Sequence, residues 1–195
     1  YGQKNSKVEL RNALLQNTNF SHANLFGANF WGSDVNQANF DGADLQHTKW
    51  DESVRGMDTI NWKGANLRGV YMGNVNLSGL NFENADFSPT TELDRYYKGY
   101  HLEDMWSKLP SVNFSGANLE NVNFHGAFMK KANLSQSNLT NANLIDTILQ
   151  NADLRGANLS GANLKGADLK GAKLDNIVLC KTTMPWGEEN SGCKA

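Results

Sequence analysis

The chain has 195 residues, the length of one domain, with 18 Lys and Arg against 20 Asp and Glu for a net charge of −2. That near balance, with 39% hydrophobic and 19% charged residues, excludes a charged disordered tail and predicts no electrostatic attraction to nucleic acid or anionic lipid. No apolar run reaches the roughly 18 residues of a membrane span, and a start at Tyr1 suits a trimmed signal segment or a shortened chain equally.

The unusual residue is Asn, with 27 copies beside 22 Leu, 17 Ala and 18 Gly. Ordinary helices and sheets disfavour that mixture, because Asn competes for nearby backbone hydrogen bonds and Gly is conformationally costly. A backbone that reuses Asn and Gly at fixed places accommodates it, so internal periods come first. From Leu10 a large apolar residue stands at every fifth position: Leu15, Phe20, Leu25, Phe30, Val35, Phe40, Leu45 and Trp50. The phase slips by two and resumes at Met57, Trp62, Leu67, Met72, Leu77, Phe82 and Phe87. After a break the series runs from Phe114 to Leu179, giving 30 centres, 24 of them Leu or Phe.

Two residues before a centre stands Ala in 16 of 30 cases, immediately before it Asn or Asp in 21, and two residues after it Gly in 12. Neither a period of 3.6 nor one of 2 produces this pattern. Two inward positions in every five imply one corner per repeat, and four corners close a square coil of 20 residues. Coils stacked at about 4.8 Å would give a rod of about 36 Å. Gly accepts positive φ, and Asn or Asp bonds its own backbone two residues on, so both are read as corner chemistry.

The pattern, clearest in ADLRG, ANLSG, ANLKG and ADLKG from Ala152 to Gly171, resembles the pentapeptide repeat family over about 150 residues. The resemblance implies an all-β fold, a right-handed quadrilateral β-helix. It implies no uniform function: some members mimic DNA and act on DNA gyrase, while many, especially in cyanobacteria and chloroplast lumens, have no assigned activity. We expect one solenoid domain over 1–195, with repeats at about 8–88 and 112–180, an insertion at about 89–111 and a C-terminal cap at 181–195.

Residues 20 apart should stack. Arg155 with Asp175, and Asp153 with Lys173, would then pair opposite charges, each worth at most about 1 kcal/mol at a surface. Phe128 and Ile148, 20 apart, replace the usual Asn or Asp and form either an exposed apolar step or a pair packed only on each other. The break from Ser88 to Ser111 holds Tyr96, Tyr97, Tyr100 and Trp106. Thr91 and Asp94 could cap a helix there, with Leu102, Met105, Trp106 and Leu109 on one face. Its aromatic residues suit a partner-binding surface or a loop pinned to the rod.

The two cysteines, Cys180 and Cys193, invite one disulfide with Trp186 folded over the last coil as a cap. The tail also resembles the ending of many cyanobacterial relatives, with Trp186 where an Asp is expected. A disulfide favours the periplasm or thylakoid lumen; two free thiols in a cytoplasmic protein are the alternative. No motif for nucleophilic, phosphate or metal chemistry is present, and His22, His47 and His125 should face solvent, so we expect no enzyme and no cofactor. The role that remains is a monomeric, non-catalytic scaffold binding an unidentified protein, with no nucleic acid and no membrane span. The alternative is a DNA-mimicking modulator of gyrase, which the charge balance disfavours.

Overall fold

The computed structural model describes residues 8–89 and 107–193. Within them the chain winds as a four-walled coil whose turns are joined by parallel bridges 20 residues apart, such as Asn118 to Asn138 and Asn138 to Asn158. Few bridges extend into strands: β1 (Lys49–Trp50) pairs in parallel with β2 (Tyr71–Met72), and β3 (Thr182–Met184) forms an antiparallel hairpin with β4 (Gly187–Glu189). Each coil uses the same bonds: the N–H of a centre donates to the next coil, as Leu139 does to Asn158 at 2.8 Å. The residue before it donates to the previous coil, as Asn138 does to Ala117 at 3.0 Å.

The corner chemistry has two parts. The Asn before a centre accepts at Oδ1 from the backbone N–H two residues on, as Asn163 does from Lys165 at 3.0 Å. The residue two after a centre takes positive φ, and half of the non-glycine residues so placed are Asn, among them Asn121 and Asn141. These two demands account for the Asn excess.

Inside, the Ala and Leu or Phe positions form one continuous core. Rings on the same wall stack, as in Phe30 on Trp50 at 4.0 Å and Phe87 on Phe124 at 4.9 Å. Rings on neighbouring walls meet edge to face, as in Phe82 with Phe114 at 5.2 Å. Full burial of each such centre contributes about 1.5–3 kcal/mol.

Three expectations need correction. The two-residue slip is not a single step before Met57: Arg55 bridges Asp34, Gly56 turns outward at φ 78°, and a 3-10 turn at Met57–Thr59 carries Met57 into the core. One extra residue therefore stands on each side of Arg55. Leu109, expected on a helical face, is a fully buried repeat centre whose N–H donates to Phe128, and the wall resumes at Ser107 rather than after Ser111. The spacing of five back from Phe114 explains why.

The third correction is the cap. Trp186 is 61% exposed and donates from Nε1 to Glu189 instead of covering the last coil. The tail docks through Thr182 and Met184, both buried, with Thr182 Oγ1 donating to the Leu159 carbonyl at 2.7 Å. Gly192 donates to the Leu179 carbonyl at 2.7 Å, held there by the Cys180–Cys193 disulfide, whose Cα atoms lie 4.6 Å apart. Leu169 and Leu174 stay half-buried at the end of the rod, beside Lys170 and Lys173, whose charge discourages edge pairing.

Candidate functional site

The bridges sort the outward residues before each centre into four columns. Wall I carries Glu9, Asn29, Lys49, Tyr71, Lys108, Phe128, Ile148 and Asp168. Wall II carries Leu14, Asp34 and Arg55, then Asn76, Asn113, Asn133, Asp153 and Lys173; wall III ends in Asn81, Asn118, Asn138, Asn158 and Val178. Wall IV is Asn24, Asp44, Asn66, Asp86, Asn123, Asn143, Asn163 and Thr183.

Walls III and IV are side-chain ladders as well as backbone ladders. Asn138 Nδ2 donates to Asn118 Oδ1 at 3.1 Å, and Asn143 to Asn123 at 3.0 Å. Their amides are largely spent on one another. Wall I departs from this rule along most of its length, with one Asn and one Asp among eight positions.

Phe128 and Ile148 are bridge partners on wall I and both are half-buried, so the apolar step is present but only partly open. Tyr71, 37% exposed, joins the same column two coils before Phe128, its ring lying over Gly73 beside Pro110. Lys130 and Lys170 stand two residues after Phe128 and Asp168 on this wall, and Lys131 turns the next corner at φ 61°. Among the described residues none of these three lysines forms an ion pair. Asp168 accepts from Gln150 Nε2 at 2.6 Å and from the Lys170 N–H at 3.0 Å, and these bonds hold its carboxyl below the usual range.

Other expected pairings resolve differently. Arg155 grips Asp153 of its own repeat, Nη2 to Oδ2 at 2.6 Å, rather than Asp175 one coil on; that bond, with a smaller pull from the stacked Lys173, lowers the Asp153 pKa. His22 is exposed, but His47 is buried against Phe26, rings 5.1 Å apart, and His125 Nδ1 sits 3.0 Å from the Ile145 carbonyl. His47, at a positive-φ corner, lies back on Phe26 of the previous coil, while His125, one residue after a centre, is held to a carbonyl of the next coil. Tyr96, Tyr97, Tyr100, Trp106 and the helix expected around them lie outside the described residues, as does His101. Among the described residues no group of His, Cys, Asp and Glu could hold a metal, and no helix is long and apolar enough to cross a membrane.

Sequence reasoning missed Tyr71, Lys131 and Leu14, the last 73% exposed on wall II. Tyr71 was hidden because its partners stand 22 and 37 residues away, at Lys49 and Lys108, rather than 20.

The model of pentapeptide repeats matches in eight copies, over residues 6–42, 61–88, 106–136 and 137–176. The chain belongs to the pentapeptide repeat family. Membership makes the four-walled coil a right-handed β-helix. No curated protein matches the chain in sequence. Among solved pentapeptide repeat structures it is similar to HetL of the cyanobacterium Nostoc sp. strain PCC 7120, involved in heterocyst differentiation regulation, at 23% identity over 95% of this chain and 93% of that one, TM-score 0.33. Full-length QnrB1, a plasmid-mediated fluoroquinolone resistance protein, is 17% identical over 90% and 86%, TM-score 0.39. A thylakoid lumen protein of Arabidopsis thaliana is 23% identical over 85% and 70%, TM-score 0.19.

Proposed function

We propose that this pentapeptide repeat protein is a non-catalytic rod that presents wall I to a protein partner in an oxidising, extracytoplasmic compartment. The observation that carries the reading is the replacement of the Asn ladder by Tyr71, Phe128 and Ile148 on wall I, while walls III and IV keep theirs. The backbone bonds persist without Asn at those positions: Phe128 and Ile148 donate to the previous coil at 2.9 and 3.0 Å, as Asn does elsewhere. Their side chains are therefore free to serve contact. The Cys180–Cys193 disulfide supports the compartment.

A photo-crosslinking residue placed at Phe128 or Ile148, and at Asn138 on wall III as control, tests the reading in the native compartment. A protein captured from both wall I positions and not from Asn138 is the expected result. Equal labelling from the two walls, or none from wall I, removes the proposal.

A further inference from the structure

We infer that the partner segment docked on wall I is an acidic amphipathic helix lying along the rod axis, an inference that rests on wall I being the binding face. Geometry argues for the helix. Coils follow one another at about 4.8 Å, and an α-helix advances about 5.4 Å per turn. From Tyr71 through Lys108 and Phe128 to Ile148 there are three coil steps, about 14 Å against about 16 Å for three helical turns. A helix therefore keeps residues at i, i+3 or i+4, i+7 and i+10 or i+11 in step with this column. An extended strand, with same-face residues about 6.8 Å apart, drifts by a whole coil over the same distance.

Charge argues for acidity. Between Phe128 and Lys170 wall I carries Lys130 and Lys170 with one carboxylate, Asp168, which Gln150 already occupies, and Asp146 stands at the corner before Ile148. Lys131 adds a third cation at the corner, on a backbone position of positive φ that Asn or Gly fills at most other corners. A lysine at this position is conformationally costly, and the rod gains nothing structural from its exposed ammonium. Carboxylates flanking the apolar stripe of a docked helix would meet Lys130, Lys131 and Lys170.

The test titrates the full oxidised chain into a labelled amphipathic Leu/Glu peptide of about 14 residues, nearly four helical turns, beside its Leu/Gln and Leu/Lys counterparts and a DNA duplex, reading anisotropy and peptide helicity. The expected result is saturable binding of the Leu/Glu peptide with a rise in helicity, at least about tenfold weaker for Leu/Gln and absent for Leu/Lys and DNA. The double variant Phe128→Asn, Ile148→Asn restores Asn to the wall, so it should keep or raise the melting temperature while weakening binding at least about tenfold. Lys131→Asn should raise the melting temperature and weaken binding a few-fold.

Equal binding of Leu/Glu and Leu/Gln peptides overturns the acidic partner but leaves wall I as an apolar docking face. Binding without a gain in helicity overturns the helix. Unchanged affinity in a folded Phe128→Asn, Ile148→Asn variant removes wall I itself, and preferential DNA binding, or no binding of any peptide, overturns the inference.

Discussion

Reducing the Cys180–Cys193 disulfide should loosen one end of the rod and leave its middle untouched. The bond closes a loop of sequence separation 13. Loop-closure entropy for that length is worth about 3 kcal/mol. In a two-state globule this would be lost from global stability, but a solenoid coil touches only its neighbours, so the loss should stay local. The amides that depend on the closed tail are Gly192 on Leu179, Lys181 on Asn190 Oδ1 at 2.8 Å, and Gly161 on the Cys180 carbonyl at 2.7 Å. At about 1.4 kcal/mol per tenfold, opening at Gly192 and Lys181 should rise roughly a hundredfold. Hydrogen exchange with and without reductant reads this directly, with Leu134 and Leu119 as protected references. If Gly192 and Lys181 exchange at the same rate in both states, the β3–β4 hairpin alone holds the tail and the entropy argument fails. If Leu134 accelerates equally, the rod opens as a unit and the nearest-neighbour picture is wrong.

Position along the rod should also grade the cost of a cavity. Leu144, fully buried between coils, should lose about 2–5 kcal/mol on change to Ala, while half-buried Leu169 at the open end should lose clearly less; urea melts of both variants measure the difference. Asp153 and Asp168 have lowered folded-state pKa values, so their contribution is present above the unfolded value of about 3.9 and is lost as pH falls through the folded one. Asp168→Asn should therefore flatten the acid limb of the stability curve below about pH 4, seen by circular dichroism. Purified gyrase should supercoil normally in the presence of the chain, whose 20 acidic residues are offset by 18 basic ones; inhibition or protection at low micromolar concentration would reinstate DNA mimicry.

The repeat was legible because each unit is local. The apolar centre, the Asn that folds back on its own backbone and the positive-φ corner all fall within five residues, so the sequence displays them at short range. The walls were not legible in the same way. Assigning Tyr71 to the column of Phe128 requires knowing that one coil gains a residue on each side of Arg55 and that the segment after Pro89 is omitted from the count. Phe128 and Ile148 were visible because they lie in an uninterrupted stretch where 20 residues make one coil. Tail geometry was missed for another reason: Cys180 and Cys193 fix where the tail ends, but whether Trp186 or Met184 turns inward depends on hairpin register, which puts Met184 inside and leaves Trp186 at the turn.

The division of labour within each repeat allows a wall, rather than the repeat itself, to carry functional information. Inward residues and backbone bonds determine the coil, and they are the same on all four walls: Ile148 bonds Ala127 as Asn143 bonds Val122. An outward Asn adds a ladder bond and the Oδ1 bond to the N–H two residues on, each worth about 1 kcal/mol. A wall can therefore exchange its whole column at a small cost per coil without disturbing the core, and the exchanges lie in line because residues of one column are neighbours only of each other. Wall I has given up its ladder from Lys49 to Ile148, and beside it Lys131 occupies a corner better suited to Asn. On the proposed reading, departures on wall I that bring apolar and cationic groups together at a cost to the rod mark a surface selected for contact, since selection for stability alone would remove them.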